Sequence, residues 1–152
     1  MRSHREAGFT LLELLVVLVL AGLMLSVILP GLGNATGPTA LRADAAALTA
    51  ALRLARERAV LEGRDVTVMI NVRQQNWRVI PAGGFGPEGG LSGKSTLSVR
   101  GDADEMTDDT AALRFHPDGG STGMEITLTA GQQRRVVRAD WLTGRVTQEV
   151  TP

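Results

Sequence analysis

Hydrophobic positions follow three successive patterns along the chain. From Phe9 to Leu29 only Thr10, Glu13, Gly22 and Ser26 interrupt a run of Ala, Val, Ile, Leu, Met and Phe. As a helix, these 21 residues extend about 31 Å at about 1.5 Å per residue, matching a hydrocarbon core of about 30 Å. The pattern predicts a transmembrane helix over 9–29. Pro30 ends it, because proline lacks an amide donor and clashes with the preceding turn; Gly31, Gly33, Gly37 and Pro38 extend the interruption. From about Thr39 a period near 3.6 takes over, with Leu41, Ala45, Leu48, Leu52, Ala55 and Ala59 on one stripe and Arg42, Thr49, Arg53, Arg56 and Glu57 on other faces. Such a stripe is expected to pack on the protein's own sheet.

After Gly63 the period falls to two. Val66, Val68, Ile70 and Val72 alternate with Thr67, Met69 and Asn71, the signature of a half-buried strand. Further strands are predicted at Trp77 to Ile80, Thr96 to Arg100, Leu113 to Phe115, Glu125 to Thr129, Arg134 to Trp141 and Arg145 to Val150. Pro117-Asp118-Gly119-Gly120, Ala130-Gly131 and Thr143-Gly144 supply turns between them. The fold class is α+β: a long N-terminal helix, half transmembrane and half amphipathic, packed on a C-terminal antiparallel β-rich domain. The organisation is a transmembrane helix over 9–29, a kinked linker and amphipathic helix over 30–64, and a β-rich domain over 65–152. No internal repeat is visible.

Composition narrows the function. At 152 residues the chain has room for one compact unit and an appendage. Sixteen Lys plus Arg balance sixteen Asp plus Glu, so no global charge excess draws it to nucleic acid or an acidic surface. The absence of Cys removes disulfides, thiol nucleophiles and Cys-ligated metals together. With three Phe, two Trp and no Tyr, there is no base-stacking platform. Arg2 and Arg5 precede the apolar run and, by the positive-inside rule, hold the N-terminus in the cytoplasm, leaving the β-rich domain on the far side. A secretory signal peptide has a shorter apolar region, about 7 to 15 residues. A plain anchor has no use for Glu13, since a carboxylate at full membrane depth costs on the order of 2.5 to 3.5 kcal/mol and normally has a partner.

The hexapeptide Gly8-Phe9-Thr10-Leu11-Leu12-Glu13, opening an apolar helix behind a short basic leader, resembles the class III signal of type IV pilins and type II secretion pseudopilins. That resemblance implies that residues 1–8 are a prepilin leader, that a membrane prepilin peptidase cuts after Gly8 and N-methylates Phe9, and that Glu13 is the assembly residue. Physical chemistry accommodates each role. Gly8 lets a peptidase groove approach the backbone closely. The new ammonium at Phe9 can neutralise Glu13 of a neighbouring subunit in a helical polymer, the partner that an intramembrane carboxylate needs.

A second resemblance lies in the C-terminal half. Ala55-Arg56-Glu57-Arg58-Ala59-Val60 with Gly63-Arg64, Phe115-His116-Pro117-Asp118-Gly119, Ile126-Thr127-Leu128 and Leu142-Thr143-Gly144-Arg145-Val146 are similar to the domain shared by H-type minor pseudopilins of type II secretion and FimT/FimU-type minor pilins. What the two imply together is a non-enzymatic minor pseudopilin without cofactors. It would be held single-pass in the bacterial inner membrane with its domain in the periplasm, joining other major and minor pseudopilins in the tip region of a short filament. Glu13 argues against the K-type tip subunit, which lacks that residue. A FimT/FimU-type minor pilin is the alternative, and a single-pass anchored β-domain with an unrelated periplasmic ligand is a third reading.

Other candidate chemistry is weak. Gly93-Lys94-Ser95 has the ending of a phosphate-binding loop, but Glu88 stands where that motif needs glycine; the glycine-rich stretch around it, 83–93, reads as a flexible surface loop. Asp102, Asp104, Glu105, Asp108 and Asp109 offer oxygen ligands for calcium but lack EF-hand spacing, so a solvated acidic loop is expected. His4 and His116 have no triad or metal partner by spacing, and Ser92, Ser95, Ser98 and Ser121 lack a nucleophile elbow. Trp77 and Trp141 read as core or rim packing. Arg134 and Arg138 share a strand face with Asp140 while Arg135 points the other way, and the tail adds no basic residue, which argues against nucleic-acid binding.

Overall fold

The computed structural model describes residues 11–28, 37–81, 83–84, 86–101, 106–107 and 109–151. The chain divides into two compact units, Met1–Ala35 and Thr36–Pro152. The first contains helix α1, Leu11–Ile28. The interruption predicted at Pro30 lies outside the described residues.

The second unit opens with helix α2, Gly37–Glu62, beginning two residues before the predicted start. Pro38 falls in its first turn, where a helix needs no amide donor and the fixed φ is already helical. The helix ends in a Schellman cap: Gly63 takes φ +63°, and the Arg64 amide donates to the Ala59 carbonyl at 3.3 Å. The predicted stripe is the buried face, with Leu41, Ala45, Leu48, Leu52, Ala55 and Ala59 fully enclosed. Thr49 is buried beside them, its hydroxyl donating to the Ala45 carbonyl one turn back at 2.7 Å.

Among the described residues eight strands follow: β1 Val66–Asn71, β2 Asn76–Ile80, β3 Glu88–Gly90, β4 Thr96–Gly101, β5 Thr110–Phe115, β6 Met124–Ala130, β7 Gln133–Ala139 and β8 Val146–Thr151. They form two four-stranded sheets ordered β3-β2-β1-β5 and β4-β6-β7-β8, with every named pairing antiparallel. α2 packs on strands of both. Alternation decides which face each strand buries: Val66, Val68 and Ile70 on β1, Leu113 and Phe115 on β5, and Ile126 and Leu128 on β6 all point into one core with the α2 stripe. Gln75 ties the β1–β2 turn to the other sheet. It adopts φ +55°, and its side-chain amide donates to the Val72 and Leu97 carbonyls while its oxygen accepts from the Leu97 amide.

Seven strands follow the predicted pattern with shifted ends; β3 does not. It lies within the stretch 83–93 expected to be a flexible loop, and it pairs with β2 through Asn76–Gly90, Trp77–Gly89 and Arg78–Glu88. Side-chain alternation could not reveal it because two of its three residues have no side chain. The glycine is what the packing requires: a Cβ on Gly89 would lie 2.8 Å from Trp77 Cε2 and closer still to the next ring carbon. The Trp77 indole therefore lies over the strand and is 8% exposed.

That contact predicts a specific failure. Gly89→Ala should destabilise the domain by about 1–3 kcal/mol through overpacking. In a Trp141→Phe background it should also shift Trp77 emission to the red. Gly83→Ala, whose added Cβ meets nothing within 4 Å, should stay within about 0.5 kcal/mol of wild type. Urea unfolding followed by fluorescence measures all three.

Candidate functional site

Of the residues assigned roles in processing and assembly, Gly8 and Phe9 lie outside the described residues. Glu13 is in the first turn of α1, where the partial positive charge of the helix N-terminus favours a carboxylate. It is exposed, as are the apolar residues 11–20 around it: Leu11 is 82% and Leu18 65% accessible. Among the described residues, no helix is long and apolar enough to cross a membrane. The predicted span 9–29 runs past α1 at both ends, onto residues 9, 10 and 29, which are outside those described.

In the second unit the structure gathers three stretches that are far apart in sequence. Arg56, half-buried on the flank of α2, donates from Nε to the carbonyls of Gly119 and Thr143, each at 3.1 Å. The turn after β5 and the turn between β7 and β8 are thereby stapled to the helix. The glycines of both turns are steric requirements. Gly144 takes φ +58°, and a Cβ there would collide with the Gly119 carbonyl and lie 3.0 Å from Arg56 Nε. Within the β7–β8 turn, Asp140 accepts from the Thr143 amide and hydroxyl, each at 2.8 Å. Those two bonds, Thr143's amide first, together with the Leu142 amide and the nearby charge of Arg145, hold its carboxyl below the usual carboxylate range.

Beside this node lies a cleft of about 690 Å³ with Arg53 and Arg56 on one wall and Thr143, Arg145, Val146 and Gln148 on the other. Arg53 donates to the Val146 carbonyl at 3.3 Å. Arg145 therefore joins Arg53 and Arg56, whereas Arg138, on the outward face of β7, is neutralised by Glu125 at 2.6 Å and Glu149 at 4.0 Å. The division of the basic residues expected from the strand period is what the register produces, with Arg135 opposite Leu128 and Val150 on the other face.

Several expectations need correction. His116 adds a contact that no spacing rule addressed: its Nδ1 lies 3.2 Å from Asp65 Oδ1, between residues 51 apart. Trp141 is neither core nor rim. It is 67% exposed, like its neighbour Leu142, and only its backbone and Cβ approach Gly123. The loop with Gly93-Lys94-Ser95 is held by α2, since Asp44 accepts from the Ser92 amide, the Ser92 hydroxyl at 3.0 Å and the Ser95 hydroxyl. Ser121 is buried and structural, donating to the Asp140 carbonyl at 3.0 Å and accepting from the Gly123 amide. In the acidic stretch, Asp109 pairs with Arg73 at 3.3 Å, while Asp102, Asp104, Glu105 and Asp108 are outside the described residues. Among the described residues no three His, Asp or Glu side chains form a metal-holding group.

Comparison with known proteins bears on both units. Residues 44–143 match the family described as Type II transport protein GspH, and residues 3–29 match the prokaryotic N-terminal methylation motif. The Type II secretion system protein H of Xanthomonas campestris is 31% identical over 142 residues, covering 91% of this chain and 80% of that protein. The protein of the same name from Aeromonas hydrophila is 37% identical over 78 residues, covering 51% of this chain and 42% of that one, so the chain spans less than half of that relative. Among solved structures, the minor pseudopilin EpsH of Vibrio cholerae aligns with a TM-score of 0.59 at 18% identity, covering 74% of this chain and 95% of that one. The type IV minor pilin FimU of Pseudomonas aeruginosa aligns with a TM-score of 0.55 at 16% identity, covering 71% and 91%. These two likenesses concern the fold alone.

The staple predicts a stability cost with a clear origin. Arg56→Ala removes a charged donor shared by two carbonyls and should destabilise the domain by about 1.5–3 kcal/mol. Exchange of the Gly144 amide should accelerate with it. Hydrogen-exchange mass spectrometry and chemical unfolding test the two effects.

Proposed function

The chain belongs to the Type II transport protein GspH family, the minor pseudopilins of type II secretion, and we propose that it enters the tip region of the periplasmic pseudopilus that drives protein export. The observation that carries this reading is the order of two independent matches on one chain, a methylation motif over 3–29 followed by the GspH domain over 44–143. The family is a structural component of a secretion system, and the proposed role here is assembly rather than catalysis.

In this reading a prepilin peptidase removes residues 1–8 after Gly8 and methylates Phe9. The apolar segment 9–29 anchors the subunit in the inner membrane until assembly, with the domain of residues 65–152 in the periplasm. The ammonium created at Phe9 then sets beside Glu13 of an adjacent pseudopilin, and the two charges compensate one another inside the apolar filament centre, where either alone would be strongly disfavoured. The match over 3–29 supports these assignments because it spans all three residues. A FimT/FimU-type minor pilin is the second reading, because the stretches Phe115 to Gly119 and Leu142 to Val146 resemble that domain as well. It ranks second because the sequence relative that covers most of the chain, at 31% identity, is a secretion protein.

Coexpression with a prepilin peptidase should yield an intact mass lower by residues 1–8 and higher by one methyl group; an unchanged mass would remove both pilin readings. Glu13→Ala should leave membrane insertion intact while reducing copurification with partner pseudopilins, as measured by fractionation and pull-down. Unreduced copurification would refute the charge-compensation role.

A further inference from the structure

The cleft beside Arg56 has a composition that core packing does not explain. Three guanidinium groups, those of Arg53, Arg56 and Arg145, line one depression of about 690 Å³, and none of them forms a salt bridge among the described residues. Elsewhere on the same domain Arg73, Arg78 and Arg138 are matched with Asp109, Glu88 and Glu125, while arginines such as Arg42, Arg100 and Arg134 stand singly among the described residues; what sets this cleft apart is that three guanidinium groups line one depression. Two of the three groups are also fixed in place. Arg53 is anchored on the Val146 carbonyl, and Arg56 on the Gly119 and Thr143 carbonyls. Such anchoring uses part of each fork and leaves the remaining N–H groups oriented, so an incoming carboxylate would need little further ordering of long side chains.

The surroundings select the kind of anion. Glu57 and Asp118 line the depression on the far side of Arg56, and Asp140 lines the one beyond Arg145 together with Arg138, whose charge Glu125 neutralises. The positive window is therefore short and bounded by carboxylates, which would repel a continuous polyanion such as a nucleic-acid backbone at both ends. The turn that carries Arg145 also presents Trp141 and Leu142, each 67% exposed. Trp141 lines an adjoining depression with Arg138 on the turn that also carries Arg145, and aromatic and Arg side chains dominate binding at protein-docking centres.

We propose that the Arg53–Arg56–Arg145 cleft docks a short acidic segment of a partner protein, its carboxylates on the guanidinium groups and a neighbouring apolar residue against Trp141 and Leu142. The inference goes beyond the filament reading, since it names a surface of the periplasmic domain and the chemistry of what binds there. It stands on the cleft and not on leader removal or on Glu13.

The test uses the full chain in non-ionic detergent and, as probe, a short fluorescein-labelled peptide of Asp and Glu with one Leu, followed by anisotropy. The peptide should bind and weaken with added salt, and its Asn/Gln counterpart should not bind. Arg145→Gln, whose lost side chain makes no hydrogen bond among the described residues, should weaken binding several-fold, and Arg53→Gln/Arg145→Gln about tenfold, the scale of two exposed charge pairs lost together. Arg134→Gln, at the other end of β7, should change it by less than about twofold, as a remote surface charge does. Absence of peptide binding, equal binding by the double variant, or tighter binding of a DNA oligonucleotide of equal charge would each overturn the proposal. Because the titration is blind to processing and assembly, any of these failures leaves the pseudopilin reading standing, and an unprocessed chain would leave the cleft's result unaffected.

Discussion

Both sheets depend on one face of α2, and the smallness of that face is what allows it. Ala45, Ala55 and Ala59 are fully enclosed along a stripe that meets strands of the two sheets. Alanine brings the helix backbone close to each sheet, and Leu41, Leu48 and Leu52 fill the space between. A larger side chain at any of the alanines would have nowhere to go, because close-packed interiors accept added volume only by displacing backbone. The same helix organises the polar end of the domain. Arg56 leaves the buried stripe by its flank and holds two turns that belong to different strand connections. One helix thus fixes the core through small residues and the surface through one long one.

How much of this is legible in sequence depends on the range of the interaction. The α2 stripe and seven strands show in periodicity, since burial on one side of a regular element writes a local pattern. The motif Gly8 to Glu13 is local as well, and so is the cap at Gly63. What periodicity misses is of two kinds. β3 carries no alternation because Gly89 and Gly90 have no side chains to alternate, and its reason for existing, the Trp77 ring, sits on another strand. The polar ties join residues far apart: Arg56 with Gly119 and Thr143 across 63 and 87 positions, Asp44 with Ser95 across 51, His116 with Asp65 across 51. Spacing rules built for local motifs cannot see such pairs.

The arginine node shows how a resemblance becomes physical. The stretches Ala55 to Val60, Phe115 to Gly119 and Leu142 to Val146 look unrelated along the chain, yet the fold brings them to one guanidinium group. Gly144 is fixed by the Gly119 carbonyl that would meet its Cβ, and the Gly119 carbonyl is in turn fixed by Arg56. Substituting Arg56 releases the Gly119 carbonyl, and a side chain at Gly144 would push that carbonyl off its donor. A pattern of separated residues can therefore identify this domain with more force than any single stretch, because the residues satisfy one steric and hydrogen-bonding condition together.

Unit 1 poses the opposite problem. The domain hides its apolar side chains, whereas α1 presents Leu11, Leu12, Leu14, Leu15, Val16 and Val17 to the outside. Each such side chain forgoes roughly 1.5–3 kcal/mol relative to burial, so a helix of this composition requires an apolar covering along its length. Its charge sits at one end only, with Glu13 in the first turn and no basic residue in the last. Whatever covers α1 must accordingly be apolar along the body and compatible with a carboxylate at the Glu13 end. In the assembly role proposed above, lipid tails would meet the first requirement and a neighbouring helix that begins with an ammonium would meet both, so that one sequence would serve first in a bilayer and then in a bundle of its own kind.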